Sequence, residues 1–510
     1  MRLARSWQYV LVASFCLLSP NFIFAGLKDG ILNVCDDISD PLTLDPQKEF
    51  QEKNHILLQQ IYDGLVRFDP DGKIEADLAI SWDRIDPLRV RFKLRHGVVF
   101  HNGEPFNAES VRFSISRYLD PKTGFPALGF VNSIDHAEIV DEYTIDIVTK
   151  FPDGLLLNRL AGFILISPPK YIAEKGDDAL QFQPIGTGPF QFVRWEKGKE
   201  IVLVANKDYW MKGYPKIQGL IFKFIPTEEQ FDNLISGNID IITELQGTRT
   251  LDVMSSRVAT VFKRASFYTV VGSIALKGPL KDKRVRQAMN YAINRAEIIR
   301  YDLLGNGDAI ATLTMAGEEG HNPNLKPYPF NLTKARQLMK EAGYEHGFTL
   351  NMLAKEQGMR VAGIVKKELE SLNIKVNLSK TYDASVIKDI SQKPWDVFLA
   401  GCPDPMVHSF FIPSIFIYSK SPYSITRDDD FDRRLEAMVT TLDKGQRELA
   451  GEELDKYVYD ESLSLFTYQK IRTYALRKGV KWVPYVSGMP YFYEAYFDDP
   501  NKSPSIATEK

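Results

Sequence analysis

The chain has 510 residues, 44% of them hydrophobic and 25% charged, with a formal net charge of −3. That length exceeds what one hydrophobic core normally serves, so two or three domains are expected. The slightly acidic balance argues against a nucleic-acid binder, and beyond the N-terminus no stretch reaches the ~18 apolar residues of a membrane span.

The N-terminus reads differently. Arg2 and Arg5 precede an apolar run over residues 9–18, then Ser19-Pro20 and a short tail to Ala25. A basic start, a short apolar core and a small final residue describe a secretory signal peptide, cleaved after Ala25. A buried helix fits less well, because the arginines are misplaced for a core and Pro20 would break it. Cys16 follows Phe15, which is too bulky for a lipid-attachment site, so a soluble exported protein is expected. Two cysteines then remain, Cys35 and Cys402. In an oxidising compartment they could pair if the fold brings their Cα atoms within ~7 Å; two buried thiols are the alternative.

In the mature chain, residues 31–35 read as a first strand, followed by Asp36-Asp37. Asp69-Pro70-Asp71-Gly72 has hairpin-turn chemistry. Val90, Phe92 and Leu94 alternate with Arg91, Lys93 and Arg95, as in a half-buried strand. Asn107 caps a helix, and residues 190–195 and 200–204 flank the turn Lys197-Gly198. An apolar strand over 217–225 leads to Thr227, read with Gln230 as a capping box. That helix buries Phe231, Leu234 and Ile235, stops at Gly237, and is followed by a strand over 238–242. Further helices start at Asp282, at Asn294 (with Glu297 completing a box) and at Asn331.

A second βα stretch has a strand over 348–353, a helix over 359–372 and a strand over 374–378. Its helix carries Val361, Ile364, Val365, Leu369 and Leu372 at helical spacing. Between strand and helix lies Lys355-Glu356-Gln357-Gly358, at a strand's carboxyl end, where α/β sheets bind ligands. A third strand, over 395–400, ends at Gly401-Cys402-Pro403-Asp404-Pro405. Asp428-Asp429-Asp430 reads as the solvated start of a helix over 431–441.

Catalytic signatures are sparse. The seven histidines show no HExxH-type spacing; His96 and His101 flank a strand end without a third ligand nearby. There is no Gly-x-Ser-x-Gly elbow. Gly186-Thr187-Gly188-Pro189-Phe190 lacks the Gly-Lys-Ser/Thr ending of a phosphate loop, and Pro189 removes an amide donor. Gly305-Asn306-Gly307 reads as a helix end and turn. Asp36 and Asp37 follow a strand, and a glycosidase needs two carboxylates ~5–10 Å apart, so an exported hydrolase stands as an alternative.

Five segments in order carry a resemblance: Leu44-Asp45-Pro46 with Ile61-Tyr62-Asp63-Gly64-Leu65-Val66; Phe92-Lys93-Leu94-Arg95-His96-Gly97 running on to Asn107-Ala108; Pro184-Ile185-Gly186-Thr187-Gly188-Pro189-Phe190; Asn206-Lys207-Asp208-Tyr209-Trp210; and Val285-Arg286-Gln287-Ala288 with Tyr291-Ala292-Ile293-Asn294-Arg295. Over nearly the whole mature chain the sequence resembles extracellular solute-binding protein family 5, the large receptors of ABC importers for oligopeptides, dipeptides and nickel. The resemblance implies an α/β fold of the periplasmic binding protein type II kind, with two lobes, a hinge and an inserted extra domain. The expected division is a signal peptide (1–25), lobe I (26–55, 185–272 and 470–510), the inserted domain (56–184) and lobe II (273–469). It implies a non-catalytic, cofactor-free monomer that closes around a peptide or peptide-like molecule and delivers it to a permease from the periplasm.

In peptide-binding relatives, an Asp before the Asp-Pro pair holds the peptide ammonium. Here Asp404-Pro405 is present, but the charged position falls near Gly401. A peptide amine would need another counter-ion, such as Asp36 or Asp37, or the ligand has no free amine. The candidate ligand contacts are Asp36, Asp37, Ile38, Tyr62, Arg360, Trp395, Gly401, Cys402, Pro403 and Asp404, with Phe410 and Phe411 as further aromatics. Core packing is the competing reading for the aromatics, and a solvated surface position for Arg360. A non-peptide ligand (a metal chelate, nickel through His408 or His101, an opine or a sugar conjugate) is the alternative.

Overall fold

The computed structural model describes residues 30–35, 40–383 and 385–498. The expected signal segment and the candidates Asp36, Asp37 and Ile38 lie outside the described residues.

The chain enters on β1 (Ile31–Cys35) and α1 (Glu52–Leu58). It then leaves the main sheet for the hairpin β2 (Val66–Phe68) and β3 (Ile74–Ala76), where Gly72 takes the left-handed turn position at φ +85°. Next come β4 (Ala79–Asp86), β5 (Arg89–Leu94), α2 (Ala108–Leu119), β6 (Ile134–Asp141), β7 (Thr144–Thr149) and α3 (Leu156–Phe163). Those four strands form their own antiparallel sheet in the order β4-β5-β7-β6. The expected alternation holds: Val90, Phe92 and Leu94 are buried and their neighbours are not.

The chain returns to the main sheet through β8 (Phe190–Glu196), β9 (Glu200–Ala205), β10 (Gly219–Lys223), α4 (Thr227–Ser236) and β11 (Ile241–Ile242). After β12 (Ala259–Ile274) it builds α5 (Lys283–Ala292), α6 (Arg295–Asp302), β13 (Gly307–Ala309), α7 (Leu332–Glu341), β14 (Thr349–Lys355), α8 (Met359–Glu370), β15 (Lys375–Thr381) and β16 (Val397–Pro403). Helices α9 (Phe411–Phe416), α10 (Asp429–Thr440) and α11 (Lys444–Glu461) precede β17 (Ser464–Arg477).

Side chains of Asn107, Asp282, Asn294, Asn331 and Asp428 each accept a backbone N–H in the first turn of the helix they precede. Thr227 is a correction. Pro226 holds the cap position of α4 without a side-chain bond, and Gln230 donates instead to the Ile225 carbonyl, 3.2 Å away. The strand expected over 395–400 also runs further, because Gly401, Cys402 and Pro403 still pair with β12.

Eleven strands form one sheet in the order β15-β14-β16-β12-β17-β11-β1-β10-β9-β8, with β13 added beside β17. β12 and β17, at 16 and 14 residues, far exceed a typical strand and run through both lobes. They pair antiparallel from Ala259–Arg477 to Ser273–Ser464. At mid-length the pairing jumps from Ala265–Ile471 to Thr269–Gln469, so Ser266, Phe267 and Tyr268 stand opposite Lys470 alone. Such a bulge bends and twists a ladder, which makes this the structural crossover between lobes.

The core falls into separate clusters: Leu32, Tyr62, Phe190 and Phe222 pack in one, and Val270, Met289, Met352 and Val365 in another. A third cluster joins Phe92, Val111 and Phe163 of the inserted element to Phe411 and Phe431 of lobe II. No helix among the described residues is long and apolar enough to cross a membrane.

Candidate functional site

Strand direction locates the site. β1, β10 and β11 run parallel, and β11 runs antiparallel to β17. β14, β15 and β16 run parallel to one another, and β16 runs antiparallel to β12. The parallel strands of the two lobes therefore point at each other. Their carboxyl ends meet at the crossover, since β11 heads from Ala475 towards Thr473 and β16 finishes at Pro403 beside Tyr268. The crevice outside the carboxyl ends of such strands is where α/β sheets take ligands.

At lobe II's end, Gly401 lies opposite Val270 on β12. A Cβ at Gly401 would sit 2.0 Å from the Tyr268 hydroxyl oxygen, so the phenol already fills that side-chain space. The Lys470 ammonium lies 5.2 Å from the centroid of the Tyr268 ring and also bonds the carboxylate of Glu244, which follows β11 in lobe I. Burial opposes ionisation of Glu244, but Lys470, Arg472 and Lys53 outweigh it and hold the carboxyl down to about 2. Gly401, Tyr268, Lys470 and Glu244 thus form a continuous bridge from one lobe's strand ends to the other's.

Several sequence candidates fall here. Cys402 and Pro403 are half-buried at the end of β16, with the Cys402 thiol 3.4 Å from the Pro403 carbonyl. Cys402 is not bridged to Cys35, which ends β1 in the opposite lobe; both remain thiols. Asp404 follows directly but turns inward. It is fully buried, and its carboxylate accepts the amides of Met406 (2.7 Å), Val407 (3.1 Å) and His408 (2.8 Å). It therefore fixes the turn after β16, and burial raises its pKa to about 7 against the lowering effect of the hydrogen bonds it accepts.

Other candidates lie elsewhere. Tyr62 is fully buried in the core cluster that holds Leu32 and Phe190 and donates to the Leu44 carbonyl at 3.2 Å. Trp395 precedes β16, at the strand end away from the crossover, and donates to the Asp389 carbonyl at 2.8 Å. It lines a separate groove of ≈ 470 Å³ with Lys277, Lys393 and Ile425. Arg360 is exposed on α8, donating to the Tyr301 carbonyl at 2.6 Å and facing Asp302 at 3.6 Å. Phe410 and Phe411 are core residues, Phe411 lying 4.7 Å from Phe130 between ring centroids. His101 contacts the Gly188 carbonyl at 3.0 Å, and His408 accepts the Phe410 amide at 3.0 Å. Among the described residues no three His, Cys, Asp or Glu side chains group as metal ligands.

Sequence reasoning missed Tyr268, Lys470 and Glu244. The available signal was an acid two residues past a strand end; Lys470 did not stand out, because β17 also carries Gln469, Arg472 and Arg477.

Comparison with known proteins completes the description. The profile described as "Bacterial extracellular solute-binding proteins, family 5 Middle" matches residues 73–420. The glutathione-binding protein GsiB of Pectobacterium atrosepticum is 27% identical over 389 residues, covering 74% of each chain. The periplasmic binding protein DppA of Helicobacter pylori, solved with the peptide STSA, superposes with TM-score 0.79 at 24% identity, covering 92% of this chain and 98% of DppA. AgaA of A. tumefaciens R10, solved with agropinic acid, gives TM-score 0.78 at 25% identity, covering 92% and 99%.

Proposed function

The chain belongs to family 5 of the bacterial extracellular solute-binding proteins, the receptors of ABC importers, and on that premise we propose that it captures a peptide or peptide-like molecule at the lobe crossover and hands it to a permease. The observation that carries this reading is the convergence of both lobes' strand ends on the β12–β17 bulge, bridged by Lys470 and Glu244. A ligand seated there touches both lobes, so it stabilises the closed form by its differential affinity. GsiB is named for glutathione and DppA was solved with a peptide, which supports a peptide-like ligand.

The reading has further parts. Residues 1–25 act as a cleaved signal, and the mature protein works in the periplasm as a monomer without a catalytic step. The lobes divide along the expected boundaries, with 56–184 as the inserted domain. Residues Gly401, Cys402 and Pro403 form lobe II's wall of the cleft, with Asp36, Asp37 and Ile38 as further ligand contacts. A non-peptide ligand of opine type is the second reading, favoured by Gly401, whose side-chain space is filled by a phenol rather than an acid.

Native mass spectrometry of protein released from the cell envelope tests the central claim: a co-released peptide or peptide conjugate, unchanged on incubation, supports it. Turnover of that molecule, abolished by Asp37→Ala, would establish a hydrolase instead.

A further inference from the structure

We propose that the groove over Trp395, at the end of β16 away from the crossover, is a second binding site, and that it takes a small amphipathic carboxylate: an acid whose body is aromatic or branched aliphatic.

The groove is built from three segments: the start of β16, the short helix Val386–Gln392 and the loop over 421–427. Its volume of ≈ 470 Å³ lies within the range of small-molecule sites. Ile387, Ile390, Trp395 and Ile425 give it an apolar lining, and Ile387 is 47% exposed. Trp395 is held in place by its indole N–H, which donates to the Asp389 carbonyl at 2.8 Å. An apolar body laid on these side chains releases the water that now covers them.

The charges of the lining are all positive: Lys277, Lys393 and Arg427. Lys277 is already matched. It faces Asp396 at 3.1 Å and donates to the carbonyls of Pro394 and Trp395. Lys393 lies 5.3 Å from the centroid of the Trp395 ring. Arg427 donates from Nη1 to the carbonyls of Ser424 (3.1 Å) and Thr426 (2.6 Å). Those two bonds fix the guanidinium and use only one of its nitrogens. The Nε and Nη2 edge remains, and two parallel N–H groups on one edge match a planar carboxylate.

The acids nearest in sequence are committed elsewhere. Asp389 accepts the hydroxyls of Thr381 and Ser385, and Asp428 accepts the Phe431 amide and the Tyr457 hydroxyl. Among the described residues, neither Lys393 nor Arg427 has a carboxylate partner. An acid in the groove therefore meets two unmatched cations and an apolar floor, whereas a neutral molecule of the same shape meets the floor alone.

The test titrates the mature protein with 3-phenylpropionate and with 3-phenylpropionamide, its uncharged counterpart, by calorimetry. The acid should bind saturably with a Kd of about 1 mM or tighter, at least ~10-fold below that of the amide, a difference of about 1.4 kcal/mol. Arg427→Gln should remove that difference, and Arg427→Lys should recover little of it, because an ammonium cannot offer two parallel donors. Ile387→Asp puts a like charge on an exposed position and should weaken the acid at least ~10-fold while leaving the amide within about twofold. Circular dichroism and the unliganded melting temperature report whether each variant folds.

Equal affinity for acid and amide would overturn the proposal, as would the absence of saturable binding, or undiminished binding of the acid by folded Arg427→Gln or Ile387→Asp. Displacement of the acid by a tripeptide pool that occupies the crossover would place it in the cleft and overturn the proposal as well. Each of these results leaves the peptide reading standing.

Discussion

The indole N–H of Trp210 donates to the carboxylate of Asp63 across 3.0 Å, a part-buried bond between residues 147 positions apart. The same carboxylate accepts the hydroxyls of Thr187 (2.9 Å) and Tyr209 (3.1 Å). Arg95 lies 3.9 Å from the Trp210 ring centroid and donates to the Asp77 carbonyl, and Asp77 in turn accepts the Gly64 amide. Four of the five sequence segments that carry the family resemblance thus meet at one hub, where residues 63, 64, 77 and 95 join residues 187, 209 and 210.

Asp63→Ala should accordingly cost on the order of 3 kcal/mol, because it strands three donors at once, the Thr187 and Tyr209 hydroxyls in buried bonds and the Trp210 indole in a part-buried one. Urea denaturation should show the loss, while ligand affinity per folded molecule stays within about twofold. A large affinity change at unchanged stability would instead make the hub part of the ligand site.

The hub also explains a glycine. An added Cβ at Gly186 would lie 2.1 Å from the Ile61 carbonyl oxygen, backbone against backbone, with no side chain able to give way. Gly186→Ala should cost about 1–3 kcal/mol. Gly363 is the internal contrast: it sits exposed within α8, and its Cβ would meet nothing within 4 Å. Gly363→Ala should raise stability by about 0.5–1 kcal/mol. Melting temperatures moving the same way in both variants would contradict the packing argument.

Local chemistry was legible in the sequence, and long-range pairing was not. Asn107, Asp282, Asn294 and Asn331 announced their helices because a cap is decided within one turn. Thr227 misled because Pro226, with its fixed φ, takes the cap position and leaves Thr227 inside the helix. β12 and β17 carry no turn signal at the crossover, so the expected lobe boundaries at 272/273 and 469/470 fall inside continuous strands. Gly401 stood out as an uncharged position at a strand end. What fills its space, Tyr268, comes from 133 residues earlier in the chain, a contact that only the strand register creates.

The acids behind the cleft predict a pH dependence. Burial, and then the neighbouring Asp404, push Glu318 well above the ordinary carboxylate range; burial raises Asp404 as well, and Asp455 to about 6. These groups hold protons in the folded state that the unfolded chain releases near pH ~4, so their contribution is lost as pH rises from there through about 6 and beyond. His55 works in the opposite direction: burial lowers it to about 4, so its contribution is lost as pH falls below ~6.5. Glu318→Gln keeps an acceptor for the Met315 amide and offers an N–H to Asp404. It should raise the melting temperature at pH 8 and lose most of that advantage at pH 5. Equal gains at both pH values would exclude a titrating pair.

The last prediction concerns closure. Helix α3 of the inserted element meets the turn after β16 closely: Asn158 donates to the Met406 carbonyl at 2.9 Å, and a Cβ at Gly162 would lie 2.6 Å from the Pro405 carbonyl oxygen. That turn is fixed by Asp404 immediately after β16, so the contact would respond to any movement of the turn relative to α3. If lobe movement makes and breaks it, Gly162→Leu acts as a wedge. Ligand should then fail to reduce the radius of gyration in small-angle scattering, and affinity should fall at least ~10-fold because the closed state is penalised. Stability without ligand should stay within about 1 kcal/mol, since the wedge is relieved by opening. A loss of several kcal/mol with no change in scattering would show that the inserted element and lobe II move as one body, and that closure occurs only at the β12–β17 crossover.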